Sequence, residues 1–267
     1  MSLQRVLRDL DLGWRLAKQD LSNRYARSYA GAAWSVGIPL FSALTTMVVF
    51  SILMSGRMGE RYEDVAFPVF FFIPFSLWVL FSDVVMRSTA ILQEYGYLVR
   101  KVAFPFWVVP LIPLASALLN QAIVLAIAFI LMIHYDVAIS SSAPLYLLIW
   151  LITLVISIGF SYSLSSLSVF VPDLGQLIPI LVTILFWLTP ILYPATIVES
   201  AGSVWQRSVI MYFNPMYYIV ESSRFAFIGS EPTDAEGWVY MSFVAIVSML
   251  IGVFLFRRLR AGFADVL

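Results

Sequence analysis

Apolar residues in this chain come in long blocks, not in alternation. Runs of eighteen or more mostly apolar residues recur near 31–54, 66–88, 107–133, 144–170, 176–194 and 237–256, with short polar stretches between them. Coiled into a helix, a run of that length matches the hydrocarbon width of a bilayer. Lipid offers the backbone no hydrogen-bond partners, so each run should be a helix, and the alternation of barrel strands is missing. The pattern predicts an all-α membrane protein: one transmembrane domain over 1–267 with a six-span bundle at 31–256 and a polar tail at 257–267, cytoplasmic if both termini lie inside.

Three segments between or beside the runs have a pattern of their own. Leu3, Val6, Leu7, Leu10, Trp14, Ala17 and Leu21 recur at helical spacing, with Arg5, Arg8, Arg15 and Lys18 on the polar side. Residues 1–24 therefore read as an amphipathic helix along the inner membrane surface, Trp14 at headgroup depth, or else as a helix packed on another subunit. This stretch lacks the apolar core of a cleavable leader, and none is expected. Between runs two and three, EYGYLVRKVAFP (94–105) has helical spacing, mixes aromatic and charged side chains, and stops at Pro105. After run five, Ala195 to Asp234 is too long for a simple turn. It divides at Asn214-Pro215 into two short apolar stretches, which read as re-entrant helices or as an amphipathic hairpin on the outer face.

Composition sharpens the picture. Hydrophobic residues make up 61% of the chain and charged residues only 12%, about half the share usual in soluble domains. Of the sixteen Lys and Arg, an arrangement with both termini inside leaves only Arg57, Arg61, Arg207 and Arg224 outside. That is the positive-inside bias, and it predicts cytoplasmic termini. The uncharged turn VPDLG (171–175) does not contribute to it. No basic patch suggests a nucleic-acid partner, and the absence of cysteine removes disulfide and thiolate chemistry.

The search for catalytic chemistry finds little. With His134 the only histidine, histidine-based zinc motifs are excluded, and no metal site is expected. GFSYS (159–163) lacks the closing glycine of a serine nucleophile elbow. Ser157, Ser161 and Ser165 read instead as a small-residue face for close helix packing. Asp83, the acid well inside a run, is expected to pair with Arg87 one turn onward. No glycine precedes Lys18 or Lys101, so no phosphate-binding loop exists, and any nucleotide must be handled by a partner.

Four stretches in order resemble the membrane subunits of type-2 ABC exporters, in particular bacterial polysaccharide exporters: RYARSYAGAAWSVGIPL (24–40), LVRKVAFP (98–105), FWLTPILYP (186–194) and NPMYYIVESSRFAFIG (214–229). The resemblance covers about Leu16 to Leu255. It implies a transport subunit of the inner membrane, not an enzyme, that exports a lipid-linked polysaccharide such as O-antigen or capsule. A teichoic-acid-like polymer, a drug or another amphiphile is the alternative cargo, and a membrane enzyme acting on lipid-linked sugars the remaining class. It also implies a homodimer with two ATPase subunits that hold ATP and Mg, this chain binding no cofactor itself. The 94–105 stretch then corresponds to a coupling helix, with Tyr95, Tyr97 and Leu98 as docking anchors and Glu94, Arg100 and Lys101 as orienting charges. Trp34, Phe41, Phe75, Trp78, Phe186, Trp187 and Tyr193 are candidates to line the conduit, since sugar faces stack on aromatic rings. Tyr212, Asn214, Pro215, Tyr217 and Arg224 are candidates for its outer gate.

Overall fold

A computed structural model describes residues 3–24, 33–98 and 105–266, and no strand occurs among them. The helices are α1 (Leu3–Arg24), α2 (Ala33–Leu53), α3 (Phe67–Glu94), α4 (Ile112–His134), α5 (Leu145–Ser168), α6 (Leu174–Leu188), α7 (Ala195–Ala201), α8 (Val204–Arg207), α9 (Pro215–Ile228) and α10 (Ala235–Leu259). Among the described residues, four segments are long and apolar enough to cross a bilayer: Phe67–Glu94, Phe106–His134, Leu145–Ser168 and Ala235–Gly262. The first and fifth expected spans are represented by shorter apolar helices, Leu40–Leu53 and Leu174–Leu188. Helix α6 stops early because Thr189 precedes a proline and takes an extended conformation, ψ 130°. Helix α3 runs the other way, six residues past the expected end at 88.

Helix α3 is the hub of the bundle, buried along most of its length. Pro68 in its first turn costs no hydrogen bond, but Pro74 in its interior frees the carbonyl of Phe70. Helices α5 and α10 meet backbone to backbone. A Cβ on Gly159 would collide with the main chain of Ser248, and one on Gly252 with the carbonyl of Gly159. Ser157, Ser161 and Ser165 are fully buried, as the small-residue reading expected.

The serine face also has a more specific task. The entrance to α4 is a 3₁₀ segment, Phe106–Leu111, crowded with Pro105, Pro110 and Pro113. Three residues after Trp107 stands Pro110, and three after Pro110 stands Pro113, so neither carbonyl finds its 3₁₀ donor. Tyr162 Oη donates to the Trp107 carbonyl at 2.6 Å, and Ser161 Oγ to that of Pro110 at 2.5 Å. Ser88 Oγ of α3 donates in turn to Ser161 Oγ at 2.7 Å. In a medium without water, these hydroxyls satisfy what the prolines leave open.

Helix α1 packs sideways. Gly13 sits against Val108, Ala17 and Asp20 are buried, and Trp107 Nε1 donates to Asp9 at 3.2 Å. Leu7, Leu10 and Trp14 of the apolar stripe remain exposed. At 3.6 residues per turn the stripe lies about 100° around the helix from the packed flank. A helix lying flat on a membrane surface would need that division: flank to the bundle, stripe to lipid, charges to water.

Candidate coupling site and outer-face cluster

At one end of the bundle, α3 ends at Glu94 and the chain turns through a short 3₁₀ segment, Gly96–Leu98. Tyr95, expected as a docking anchor, is turned inward: its side chain is buried and its hydroxyl donates weakly to the Leu16 carbonyl of α1 at 3.5 Å. Burial, helped by the charge of Asp20, pushes its phenol up to about 12. Tyr97 stacks on it with ring centroids 6.2 Å apart and is 58% exposed, so of the two rings it is the one presented at the surface. Arg100 and Lys101, and the side chain of Leu98, lie outside the described residues. Pro105 resumes the chain as the cap of the 3₁₀ entrance.

Two charged residues have partners that the sequence reading did not foresee. The expected Asp83–Arg87 pair gives way to a longer reach: Arg87 bridges Asp20 of α1 at 2.7 Å and also binds Glu94. Asp83 accepts from Asn120 Nδ2 of α4 at 2.7 Å. Arg87 thus ties α1 to the end of α3, with Glu94 as the more exposed of its two partners. The arginine's direction follows from geometry. Position 87 lies two turns from the end of α3, where a guanidinium can reach the inner surface, whereas Asp83 sits one turn deeper. Asp20 carried no signal for this pairing, because nothing in the sequence says which side of α1 meets the bundle.

The aromatic candidates divide. Phe75, Trp78, Phe186 and Trp187 form one chain of ring contacts, 6.4 Å from Phe75 to Phe186, 5.4 Å from Trp78 to Phe186 and 5.6 Å from Phe186 to Trp187. Trp187 then reaches Phe50 of α2 at 6.5 Å. Trp78 is buried inside this cluster, while Trp187, Trp34 and Phe41 are exposed. Tyr193 is half-buried, its hydroxyl donating to the Trp187 carbonyl at 3.2 Å. Helices α2 and α6 both present exposed apolar side chains, including Val48, Ile52, Ile180 and Ile184.

At the other end the helix break falls at Asn214-Pro215, as expected. Asn214 Oδ1 accepts from Met216 N at 3.0 Å, Pro215 fills the first turn of α9, and Asn214 Nδ2 donates to Thr189 Oγ1 at 2.9 Å. Tyr212 is exposed and Tyr217 half-buried beside Tyr218. Burial beside Glu221 raises the Tyr217 phenol's pKa above its ordinary value. Arg224 is completely buried, not displayed at a mouth. It pairs with Glu221 at 2.5 Å, donates to the Ile191 carbonyl at 2.9 Å and lies 3.5 Å over the Phe70 ring. Its Nε also points at the Phe70 carbonyl, 3.4 Å away, the group freed by Pro74. Tyr62 completes the cluster by donating to Glu221 at 2.8 Å. The i, i+3 spacing of Glu221 and Arg224 was a readable signal for that pair, whereas Tyr62 had none. Nearer the surface, Arg61 bridges Glu231 at 2.5 Å and approaches Glu199 at 3.8 Å. Burial alone would lower its pKa, and the two carboxylates outweigh that and hold it above the ordinary value.

Neither end assembles a nucleophile with a base, and no group of acids or histidines suited to a metal occurs among the described residues. What the arrangement can do is hold an aromatic wall, fix an outer cap and tie an inner turn to a surface helix. The family of ABC-2 type transporters matches residues 12–228. The O-antigen export system permease protein RfbA of Myxococcus xanthus is 26% identical over 250 residues, covering 94% of this chain and 93% of that protein. A protein of the same name from Klebsiella pneumoniae is 24% identical over 258 residues, with coverage of 94% and 93%. The polysialic acid transport protein KpsM of Escherichia coli is 23% identical over 245 residues, 90% of each chain.

Proposed function

Since the chain belongs to the ABC-2 type transporter family, we propose that it is the multi-pass permease subunit of an ATP-driven exporter that moves a polysaccharide across the bacterial inner membrane. The observation that carries this is the near full-length likeness to permeases named for O-antigen export and polysialic acid transport. The absence of a phosphate-binding loop agrees with it, because ATP and Mg then belong to a separate subunit. Two copies of this chain would enclose the conduit, with α2 and α6 as the apolar faces that meet. The ring cluster from Phe75 to Trp187 would line it where polymer faces can stack weakly and slide. Both termini are assigned to the cytoplasm, and the 195–234 segment to the outer side.

The inner turn is the proposed input for mechanical work. Exposed Tyr97 is its anchor, and Arg100 and Lys101 are its orienting charges. The test is deletion of this chain in a host that carries its cognate ATPase and a polymer detectable at the cell surface. The polymer should disappear from the surface and accumulate inside, and return with the wild-type chain. Unchanged surface polymer in the deletion would overturn the export reading.

A further inference from the structure

Asp83 lies about 16 Å before the end of α3 at Glu94, inside a segment long and apolar enough to cross a bilayer. A carboxylate is costly at that depth, and the charges around it bring little relief. Arg87, one turn onward, already holds the carboxylates of Asp20 and Glu94, so its charge is offset before Asp83 is counted. Helices α2, α4, α5 and α6 contribute no Asp, Glu, Lys or Arg. Glu221 and Arg224 of α9 pair with each other near the opposite end of α3, beside Phe70. The tyrosines of α5 are engaged elsewhere, Tyr146 with Ser76 and Tyr162 on the Trp107 carbonyl.

What meets Asp83 from α4 is an amide. Asn120 is 9% exposed; its Nδ2 donates to Asp83 Oδ2 at 2.7 Å, while its Oδ1 has no donor among the described residues. Oδ1 shares a carbon with Nδ2, so it sits beside the same carboxyl group. A carboxylate can only accept and leaves that oxygen unsatisfied, whereas a carboxylic acid carries an O–H to give it. Turning the amide over does not help, because Oδ1 would then face a carboxylate oxygen. A buried acceptor without a donor is costly, and more so where no water can reach it. We propose that Asp83 is held as a neutral carboxylic acid in a reciprocal pair with Asn120, each side chain giving the other one hydrogen bond. The pair is a proton-holding clasp between α3 and α4. Loss of the proton removes the donor to Oδ1 and leaves a charge in the span, so the clasp exists only in its protonated form. The proposal rests on the membrane reading of α3 and α4 and is independent of what the protein exports.

The test is infrared spectroscopy of the full chain at neutral pH in a maltoside detergent, which has no ester carbonyl, with aspartate isotope-labelled at its side-chain carboxyl carbon. A protonated-carboxyl band that shifts with the label should be present in the wild-type chain and absent from Asp83→Asn. Reversible unfolding in mixed micelles gives a second readout. Asp83→Asn, whose amide can also give one bond and accept another, should change the unfolding constant by less than about threefold, within the average worth of a single interhelical hydrogen bond. Asp83→Leu and Asn120→Leu should each raise it roughly tenfold, the worth of two such bonds, and the double variant should do little more than either alone. A label-shifted band that is missing from the wild-type chain, or that survives in Asp83→Asn, would overturn the assignment. So would failure of Asp83→Asn to fold, or damage equal to that of Asp83→Leu, since the negative charge itself would then be what the site requires.

Discussion

Arg87→Met is the sharpest probe of the inner end. The substitution keeps much of the buried stem of the side chain and removes the guanidinium that joins Asp20 to Glu94. The two partners are not equivalent. Asp20 is 7% exposed at its side chain, so stripping away its guanidinium leaves a carboxylate poorly solvated, and losing one partner of such a buried pair costs about 3–5 kcal/mol. Glu94 is 46% exposed, and its share is the roughly 0.2–1 kcal/mol of a surface pair. Because this site lies at the water-facing end of α3, the lower part of the first range applies, and we expect a loss of about 3 kcal/mol. A thermal-stability series in detergent, converted to free energy and arranged as double-mutant cycles, measures it. Asp20→Asn in the Arg87→Met background should restore most of the loss, because no charge is left buried. The Asp20–Arg87 coupling should exceed about 1.5 kcal/mol and the Glu94–Arg87 coupling should fall below about 1 kcal/mol. Additivity of Asp20→Asn and Arg87→Met within about 0.5 kcal/mol would refute the bridge between α1 and α3.

The other expectations can be checked more briefly. Tyr97→Ala should weaken co-purification of the ATPase subunit at unchanged membrane levels, whereas Tyr95→Ala should lower thermal stability by about 2 kcal/mol or more, because its ring is packed inside. Arg224→Met should lower the yield of folded protein sharply, and Arg224→Lys should not rescue it, since one ammonium cannot reach Glu221 and the Ile191 carbonyl while stacking on Phe70. For topology, single cysteines at Ser203 and Ala261 of this cysteine-free chain should differ in intact cells. An impermeant thiol reagent should mark only the Ser203 variant, and labelling at Ala261 would reverse the orientation. The purified chain alone should not hydrolyse ATP in a coupled assay, and turnover that survives removal of every trace of partner would count against the division of labour.

The helical blocks were legible because apolar run length is a strong signal, and the break at Asn214-Pro215 because proline and a capping side chain mark it locally. The ends of helices were less legible. Helix α3 continues past its apolar run because Arg87 and Glu94 lie one within reach of the other on its last turns, a favourable pairing that a hydropathy scan scores as an interruption. Helix α6 stops short of its apolar run because Thr189 must be extended before Pro190. The contacts of the candidate site were less legible than the helices. The 94–105 stretch was recognisable by composition, but the inward turn of Tyr95 depends on where α1 lies, and no local pattern encodes that. Arg224 looked like an outer-face charge because its environment, a carbonyl freed by Pro74 and another at Ile191, comes from residues 154 and 33 positions away in sequence.

Proline placement bears on how a push on the proposed coupling turn would be passed on. A segment in that path would have to be stiff, yet Phe106–Leu111 is 3₁₀ and crossed by prolines, a geometry that ordinarily leaves unsatisfied carbonyls and a soft joint. Here the freed carbonyls of Trp107 and Pro110 are fastened to Tyr162 and Ser161 on α5, and Ser161 is fastened to Ser88 on α3. The indole of Trp107 is held by Asp9 of α1, and Arg87 joins α1 to α3 a short distance away. Displacing this segment therefore means moving α1, α3 and α5 together or breaking several hydrogen bonds in a water-poor environment. Helix α5 in turn touches α10 through facing glycines, where no side chain cushions the contact. The Phe106–Leu111 segment is thus stiffened by its own irregularity: the prolines that prevent a regular helix expose the acceptors through which it is bolted to the bundle.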